Sequence, residues 1–574
     1  MERDKKNIAI IVLSIALVAS SIGNIILTPE FEIGIAPPLL KTVKMGTIRN
    51  PLVIDPVVCY EGIGLYDRTS NDVILQVCEG LYMHNLSDPN LRIVPILAAD
   101  YGIWDATGTK FTIPLRRNIF FHDGTPFNAA AVKWNFERIN FFINASGTLS
   151  SATEISPIRP FYEFPNRTTI FDPVSPVTIN SDYSVTIHLR DQYAILDSLL
   201  CNTPSFMLSP NSTPKYEYIN ITNGKIIGTG PFVYDHFLPD KEVKLHRWAR
   251  YWRTGSYFDQ LVFYIADGST ALYEAVTSRS VDCIYGTFSC VMCHTDIDSY
   301  FTFPREKGIS FYYLGMNNNK INKTWRQAIS YAISYTYIID ELQQGTVYRS
   351  NGPLAPPFPM YDPSIKVATW NLAKARQILV DAGITNLTVN NDTTGPIADA
   401  WKATELKSWN YSYNIGNAFR EDLGVLLRYN LDLIGIEVVD QGMSYDDYIS
   451  RAYGDMEPGG YDSLELFWVG WSPDYFSPYN MIAPLFSNQS ASNSAQYHNH
   501  TVEMWLDEIL SETNATKRAE LYSKILHQIV EIDMPYAFGY HPYVPFTHSK
   551  DLKGVPYNAM GRFYFYPMYR DSNS

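Results

Sequence analysis

The chain has 574 residues and a mass of 65.3 kDa, which is more than one hydrophobic core usually serves and predicts two or three domains. Apolar residues make up 46% and charged residues 18% of it, and this balance excludes a disordered chain. The net charge of -14 and the pI near 5.3 exclude nucleic acid as a partner, because neutralising phosphates needs clustered Lys and Arg.

Residues 1-29 form a separate segment, which we interpret as a signal peptide or membrane anchor. Three basic residues precede Ile8 to Leu27, a stretch without any charged residue. The length of this stretch fits a membrane-spanning helix, and its shorter core, Ile8 to Val18, equally fits a cleaved signal peptide. Under either interpretation the rest of the chain lies outside the cytoplasm, because the basic end stays inside.

Asparagine sequons also favour an extracellular protein, since they are more frequent than chance pairing of this composition gives. They predict a glycosylated surface and occur at Asn85, Asn144, Asn166, Asn211, Asn220, Asn322, Asn386, Asn391, Asn410, Asn488, Asn499 and Asn514.

The six cysteines of an exported chain favour disulfides, whose pairing the sequence leaves open. Cys59 and Cys78 are one candidate pair. Cys283, Cys290 and Cys293 form a cluster that favours a local disulfide over a metal site, because no second CxxC motif completes a tetrahedral set.

The remaining sequence alternates between strand and helix patterns. Lys110 to Leu115 and Ile119 to Phe121 predict strands that end in a turn at His122-Asp123-Gly124. Asn128 is the expected N-cap of a helix that buries the stripe Val132, Phe136 and Ile139. Further strands are predicted at Val43–Ile48, Val185–Leu189, Val243–Leu245, Leu261–Ile265 and Val281–Ile284, and further helices at Leu272–Val276, Trp325–Ala332, Ala373–Asp381 and Leu521–Ile532. This mixture predicts α/β layers rather than a sandwich or a bundle.

Five stretches in a fixed order resemble one protein family. They are LAADYGIWDATGTKFTIPLRRNIFFHDGTPFNAAAVKWNFERI (97–139), IIGTGPFVYDHFLPDKEVKLHRWARYW (226–252), YYLGMNNNKINKTWRQAISYAI (312–333), Asn371–Gly383 and FWVGWSPDYFSPYN (467–480). Together they resemble extracellular solute-binding protein family 5, the oligopeptide/dipeptide-type substrate-binding proteins of ABC transporters. Ala131 and Ser334 depart from this pattern, because Asp is usual there, and Arg279 replaces a common Gly.

The resemblance implies a two-lobed, periplasmic-binding-protein-like α/β fold of type II, whose lobes close over a ligand and exclude water from it. An extra domain enlarges lobe one, and a transmembrane or signal helix precedes it. The implied boundaries are 41-68 for the first part of lobe one, 69-225 for the extra domain, 226-310 for the second part of lobe one, 311-544 for lobe two and 545-574 for the segment that returns to lobe one.

Asp474 is the first candidate ligand-binding residue. In peptide-binding members of the family, the acid after the matching Gly-Trp pair contacts the α-ammonium of the ligand, since an enclosed cation needs a carboxylate to offset its lost hydration. The alternative is that Asp474 only caps a turn after Pro473. Trp471 and Tyr475 either contact the ligand or pack the lobes together.

Two other segments match positions at the ligand cleft of the family. The first segment is Glu61, Gly62 and Ile63, which follows Asp55-Pro56. It resembles the family segment whose backbone pairs with a bound peptide as an added strand. Such pairing recognises the main chain of the peptide and therefore tolerates many peptide sequences. An ordinary loop is the alternative. Asn317 matches a family position that faces the cleft.

The expected function is capture of short peptides for an ABC importer, without catalysis and without a cofactor or metal. The GxSxG, HExxH and phosphate-loop motifs are absent from the sequence. The expected partners are a short peptide or an oligosaccharide, the permease subunits of the transporter and, if the N-terminal helix is uncleaved, the membrane. We expect a monomer, anchored or secreted on the extracellular face.

Three alternatives stay open. Aromatic residues make up 14% of the chain, with 41 Tyr, and this content favours an oligosaccharide binder of the same fold. Paired carboxylates among the 59 acidic residues would allow a surface hydrolase. A structural envelope or adhesion protein, finally, would bind no ligand.

Overall fold

The computed structural model describes residues 41–58, 68–150, 155–164, 166–284, 297, 299–453, 464–490 and 492–571. The strands within these ranges are β1 (Thr42–Thr47), β2 (Tyr82–His84), β3 (Ile93–Pro95), β4 (Ile103–Trp104), β5 (Lys110–Pro114), β6 (Val177–Ser181), β7 (Ser184–His188), β8 (Phe232–Leu238), β9 (Glu242–Arg247), β10 (Gln260–Ile265), β11 (Cys283–Ile284), β12 (Phe301–Thr302), β13 (Arg305–Lys307), β14 (Phe311–Met316), β15 (Val347–Arg349), β16 (Lys407–Asn414), β17 (Ile436–Met443), β18 (Leu466–Trp471), β19 (Tyr536–Pro545), β20 (Thr547–Ser549), β21 (Leu552–Lys553) and β22 (Tyr569–Arg570).

The helices are α1 (Arg68–Val77), α2 (Ala129–Phe142), α3 (Leu196–Leu200), α4 (Gly268–Thr277), α5 (Lys323–Ala332), α6 (Tyr335–Tyr337), α7 (Leu372–Asp381), α8 (Pro396–Lys402), α9 (Ala418–Asp432), α10 (Tyr445–Tyr453), α11 (Pro478–Phe486), α12 (His500–Ser511) and α13 (Ala515–Leu526). Turns of 3₁₀ helix lie at Pro56–Val58, Arg159–Tyr162 and Thr203–Ser205, and π-helical turns at Ile338–Leu342 and His527–Asp533. No helix within the described ranges has the length and apolar character needed to cross a membrane.

Two seven-stranded sheets organise the chain. The first has the order β12-β20-β11-β1-β10-β9-β8, in which β1 runs parallel to its neighbours β10 and β11. The second has the order β13-β19-β14-β18-β16-β17, and β15 pairs with β19 off this path. We call the part of the chain around the first sheet lobe one and the part around the second sheet lobe two. The domain boundaries expected from the sequence stay predictions.

Two adjacent segments connect the sheets. The chain passes from β12 to β13 through Pro304 and returns from β19 to β20 through Phe546. The amide of Phe546 donates to the carbonyl of Pro304 at 2.9 Å, and Arg305 pairs with Pro545 in the antiparallel ladder. The two crossings are therefore hydrogen-bonded to each other and run side by side.

A smaller four-stranded sheet, with the order β4-β5-β7-β6, packs against α2, and we count it with lobe one. Asn128 caps α2 as predicted, since its Oδ1 accepts from the amide of Ala131 at 3.0 Å. Val132, Phe136 and Ile139 are buried, which confirms the predicted stripe.

Two predicted elements differ from the structure. Ile119 to Phe121 forms no strand, because Phe120 makes only an isolated bridge with Pro126 across the turn. The helix predicted to reach Ile532 ends at Leu526, and a π-helical turn follows. The wider turn shifts the stripe by about one residue, so that Ile532 is 44% exposed.

Arg279 shows why glycine is common at its position in the family. Its φ of +58° lies in the left-handed region, which only glycine adopts without strain. Arg279 keeps the turn after α4 at the cost of that strain.

The predicted disulfides find no support. Cys78, Cys201 and Cys283 are buried free thiols, and burial raises the pKa of each of them. Their partners in the prediction, Cys59 at the first site and Cys290 and Cys293 at the second, lie outside the described residues. Cys78 packs instead against Gly228, where an added Cβ would lie 2.7 Å from its Sγ.

Four sequon asparagines have structural roles that give glycosylation no support. Asn322, Asn499 and Asn514 are helix N-caps whose side-chain oxygens accept backbone amides. Asn144 is 9% exposed and its Nδ2 donates to the carbonyl of Leu149. Cap formation thus accounts for part of the sequon excess.

Candidate functional site

The segment after β18 is held firmly in lobe two. Strand β18 pairs with β14 along its whole length, so that Trp471 lies opposite Phe311. The Nε1 of Trp471 donates to the carbonyl of Asn480 at 2.8 Å, and the hydroxyls of Ser472 and Ser310 lie 2.7 Å apart. A carboxylate carried by the next residues therefore has a fixed position.

Asp474 is that carboxylate, and it is half-buried. Its amide donates to Oδ1 of Asn480 at 2.6 Å, and Nδ2 of Asn480 donates to its Oδ2 at 3.3 Å. The Asp474 carboxylate accepts no backbone amide and pairs with no cation among the described residues, so Asn480, and not Asp474, caps this turn. Burial raises the pKa of Asp474 to about 7, and the bond from Asn480 offsets this only in part.

The raised pKa of Asp474 predicts how the stability of the ligand-free protein depends on pH. The folded-state pKa of Asp474 lies above its unfolded value, so folding favours the protonated side chain. The resulting contribution to the stability of the folded state is fully present below about pH 4 and is lost as pH rises through about 7. We expect Asp474→Asn, which is neutral at every pH, to raise the free energy of unfolding by about 1–3 kcal/mol at about pH 8 and by almost nothing at about pH 4.

Thermal unfolding of ligand-free wild type and variant at several pH values measures this difference. A constant difference across the range would contradict the assigned titration of Asp474.

The next two residues bring the lobes together. The hydroxyl of Tyr475 lies 3.3 Å from that of Tyr193 in lobe one, and both side chains are buried. Phe476 packs edge-to-face on His84 at 5.2 Å and stacks on Phe358 at 4.6 Å. The segment that carries Asp474 therefore lies at the contact between the lobes.

A pocket of about 450 Å³, its open mouth included, lies beside this contact. Its walls come from α1 and β2, from the region of α3, from Tyr475 and Phe476, and from the C-terminal segment at Met560 and Arg562. Leu75 and Phe206 are among the side chains that make it largely apolar.

His84 is one of the titratable side chains on the walls of this pocket. Its Nδ1 lies 2.8 Å from the carbonyl of Leu91 and therefore carries the proton. Burial first, and then the charge of Arg562, lower the pKa of His84 to about 4, so that the ring is neutral at pH 7.

The remaining predicted residues are Glu61, Gly62, Ile63 and Asn317. Glu61, Gly62 and Ile63 fall outside the described residues. Asn317 is buried at the end of β14, where its Nδ2 donates to the carbonyl of Leu464 at 3.0 Å and its Oδ1 accepts from the amide of Asn319 at 3.0 Å. In this structure the Asn317 side chain connects loops of lobe two.

Asp55, which precedes the predicted strand-adding segment, forms a buried ion pair with Arg138 of α2. The guanidinium donates to both carboxylate oxygens, at 2.9 and 2.5 Å, and both residues are 1% exposed. The amides of Val57 and Ile219 also donate to this carboxylate. Asp55 therefore holds the described residues 55–58 against α2.

Sequence reasoning missed His84, Asn202 and Arg562, which line the pocket. It also missed Tyr193, whose hydroxyl lies beside that of Tyr475. They come from distant parts of the chain and stand in no motif. Among the described residues, no cluster of His, Cys, Asp or Glu is arranged to hold a metal ion.

Comparison with known proteins decides the family. The model of the bacterial extracellular solute-binding proteins, family 5 Middle, matches residues 92–493. The chain belongs to this family. The resemblance found in the sequence is thus confirmed, and the protein is an extracytoplasmic solute-binding component of an ABC importer.

Curated relatives of this family 5 protein match over almost its whole length. Heme-binding protein A of Haemophilus influenzae is 25% identical over 540 residues, 91% of this chain and 90% of that protein. Glutathione-binding protein GsiB of Escherichia coli strain K12 is 24% identical over 533 residues, 90% of this chain and 91% of that protein.

Solved structures confirm the two-lobed α/β periplasmic-binding-protein fold. HbpA2 from Haemophilus parasuis superposes with a TM-score of 0.75 at 18% identity, covering 92% of this chain and 100% of that one. DppA from Helicobacter pylori, in complex with the peptide STSA, superposes with a TM-score of 0.69 at 20% identity, covering 92% and 98%.

Proposed function

We propose that this family 5 protein captures short peptides and hands them unchanged to its importer. The observation that carries the proposal is Asp474, a half-buried carboxylate at the lobe contact without a cation partner among the described residues. An ammonium enclosed beside Asp474 offsets the cost of burying the carboxylate. The carboxylate in turn offsets the cost of burying the ammonium.

The relatives support a ligand with a free α-ammonium. STSA is a peptide, and so is glutathione, after which GsiB is described. Both compounds carry an α-amino group, which is cationic at neutral pH. The carboxylate of Asp474 is complementary in charge to the α-ammonium that these two ligands share.

The oligosaccharide alternative receives less support from the structure than from composition. Many aromatic rings pack on one another inside the protein, such as Tyr313 on Tyr536 at 4.3 Å and Phe311 on Phe538 at 5.7 Å. Rings that are used in cores cannot stack on a sugar.

The proposal includes three further points. The protein binds without catalysis, as family 5 members are transport components. It acts as a monomer that docks on the permease subunits. Residues 1-29 hold it at the extracellular face or direct its secretion.

The test is thermal unfolding of the wild-type protein with each class of ligand. A library of two- to five-residue peptides is expected to raise the unfolding midpoint, because a ligand at about 100 times its Kd adds about 2.7 kcal/mol. Cello- and manno-oligosaccharides and hemin are the comparison ligands, and stabilisation by one of these with none by peptides would contradict the proposal.

The same incubations test for turnover. Labelled peptides and glycans are expected to be recovered intact, as mass spectrometry of the mixtures would show. Cleaved products would favour the hydrolase alternative.

A further inference from the structure

A second pocket lies next to the C-terminal end of α2. Its volume is about 580 Å³, its open mouth included, and it shares no lining residue with the pocket at the lobe contact. Its walls are the loop 144–147, the stretch 167–169, Arg159 and Arg190. Three of the nine residues that line it are therefore arginines, and none of the nine is acidic.

Two of these arginines are bound to the same loop. The Nη1 of Arg159 donates to the carbonyls of Ile143 and Asn144, at 2.8 and 3.3 Å. The Nη2 of Arg190 donates to the next carbonyl, that of Ala145, at 2.7 Å. Because the three carbonyls belong to consecutive residues, the two guanidinium groups lie close to each other.

The third arginine, Arg167, lies on a hairpin that is bonded to the other two. A bridge between Glu163 and Thr169 joins the two arms of this hairpin. The carboxylate of Glu163 pairs with the guanidinium of Arg159. The amide of Arg190 donates to the carbonyl of the residue that follows Thr169, at 2.8 Å. The hairpin and the loop therefore bring all three arginines to one pocket.

Only one of the three arginines has a carboxylate partner among the described residues. Arg159 pairs with Glu163, whereas the described acceptor of the Arg190 guanidinium is a neutral carbonyl. The guanidinium of Arg167 is exposed and has no acceptor within the described ranges. These four side chains carry three positive charges and one negative charge, in a chain whose net charge is -14. An anion in the pocket would reduce the repulsion between the cations.

The wall of the pocket also contains a polar group without a partner. Thr169 is 2% exposed, and its Oγ1 is buried with no hydrogen-bond partner in the described part of the chain. Such hydroxyls are uncommon, because a buried polar group that makes no hydrogen bond costs free energy. Since Thr169 lines the pocket, an oxyanion bound there would supply the acceptor that this hydroxyl lacks.

We propose that this pocket binds a phosphate group, with Arg167 and Arg190 as its cations and the hydroxyl of Thr169 as a further donor. Guanidinium groups match phosphate oxygens in charge and geometry. The donors come from a loop, a hairpin and a separate strand end, and a tetrahedral oxyanion accepts from several directions, whereas a carboxylate accepts in one plane. Arg159, which Glu163 neutralises, holds the loop in position.

The phosphate group is either inorganic phosphate or the headgroup of an anionic phospholipid, and the chemistry of recognition is the same for both. The site goes beyond the capture of peptides and does not depend on it, because none of its residues belongs to the candidate peptide site.

The test is calorimetric titration of the full chain with inorganic phosphate at low ionic strength, where screening is weak. Sodium chloride at the same ionic strength is the reference. We expect Arg167→Gln to weaken phosphate binding about tenfold, and Arg167→Gln/Arg190→Gln to weaken it about 100-fold. Thr169→Val keeps the shape of the side chain and removes the hydroxyl, and it should weaken binding about threefold.

The matched control is Arg49→Gln, which changes an exposed arginine that does not line the pocket and should leave phosphate affinity unchanged. Arg167→Gln removes no contact seen among the described residues, so it is expected to keep the unfolding midpoint of wild type. This variant tests the site even if the double variant does not fold.

Sedimentation with vesicles distinguishes the two sources of phosphate. The vesicles contain phosphatidylglycerol, and vesicles of phosphatidylcholine alone are the reference. Wild type and Arg167→Gln both carry residues 1-29, so a difference between them reports on the pocket and not on the N-terminal segment. Weaker sedimentation of Arg167→Gln would identify a lipid headgroup, and equal sedimentation with weaker binding of inorganic phosphate would identify the free ion.

Equal phosphate affinity in wild type and in Arg167→Gln would overturn the inference, as would the absence of phosphate binding by wild type. Peptide affinity, measured on the same samples, should be equal in wild type and Arg167→Gln. If no peptide binds wild type, the proposed function fails, and the result for phosphate still decides this site separately.

Discussion

Replacing Asp474 by Asn is expected to weaken binding of a peptide with a free amino end by about 100-fold and to leave its N-acetylated twin almost unchanged. The variant keeps the size of the side chain and its contact with Asn480 but removes the charge. Truncating one partner of an enclosed charge pair costs about 2–5 kcal/mol, because the other charge stays desolvated. The acetylated peptide has no charge to leave unpaired, so its affinity is the internal reference.

Two controls make this result specific. Asp422→Asn changes an exposed carboxylate on α9 and should alter neither affinity. In wild type the affinity for the free amine should rise as pH approaches about 7, since protonated Asp474 offers no charge, and should fall again above about pH 8, where the α-ammonium of the peptide loses its proton. The Asp474→Asn variant should lack the rise. Equal losses for both peptides in Asp474→Asn would show that the residue acts on the fold and not on the ammonium.

The fold was largely predictable from local patterns. Asn128 and the stripe at Val132 and Phe136 identify α2, because a cap and a 3.6-residue period are both properties of neighbouring residues. The π-helical turn after Leu526 was not predictable, since the apolar pattern continues through it to Ile532. The change from α-helical to π-helical geometry therefore cannot be seen in the spacing of the apolar residues.

The candidate site was predictable only where a contiguous motif carries it. Asp474 follows a Gly-Trp pair and a proline, and this short stretch is what resembles the family. Asn202 and Arg562 have no such context, and only the fold brings residues 360 positions apart to one pocket.

The tyrosines show a limit of composition. Their number favoured an oligosaccharide binder, but Tyr162, Tyr448 and Tyr536 are buried inside the protein. The hydroxyls of Tyr448 and Tyr536 donate to backbone carbonyls, and that of Tyr162 lies within hydrogen-bond distance of the Ser205 hydroxyl. Burial raises the pKa of Tyr193 to about 12, which is typical of a ring that supports packing. Because tyrosine occurs both in cores and in ligand clefts, the number of tyrosines does not show which of the two they form.

Arg138→Met is expected to lower the free energy of unfolding by about 3–5 kcal/mol, the largest loss of stability from one substitution that we predict. Methionine fills much of the space but leaves the Asp55 carboxylate 1% exposed, with the amides of Val57 and Ile219 as its remaining donors among the described residues. Thermal or urea unfolding of the two proteins measures the difference.

The matched control is Arg428→Met, which breaks the ion pair with Asp440, where the side chains are 40% and 37% exposed. Exposed pairs contribute about 0–1 kcal/mol, so this loss should be small. The double variant Asp55→Asn/Arg138→Met should recover part of the stability lost in Arg138→Met, because a neutral amide in place of the carboxylate leaves no buried charge unpaired. If Arg138→Met loses no more than Arg428→Met, the buried pair does not stabilise the contact between residues 55–58 and α2.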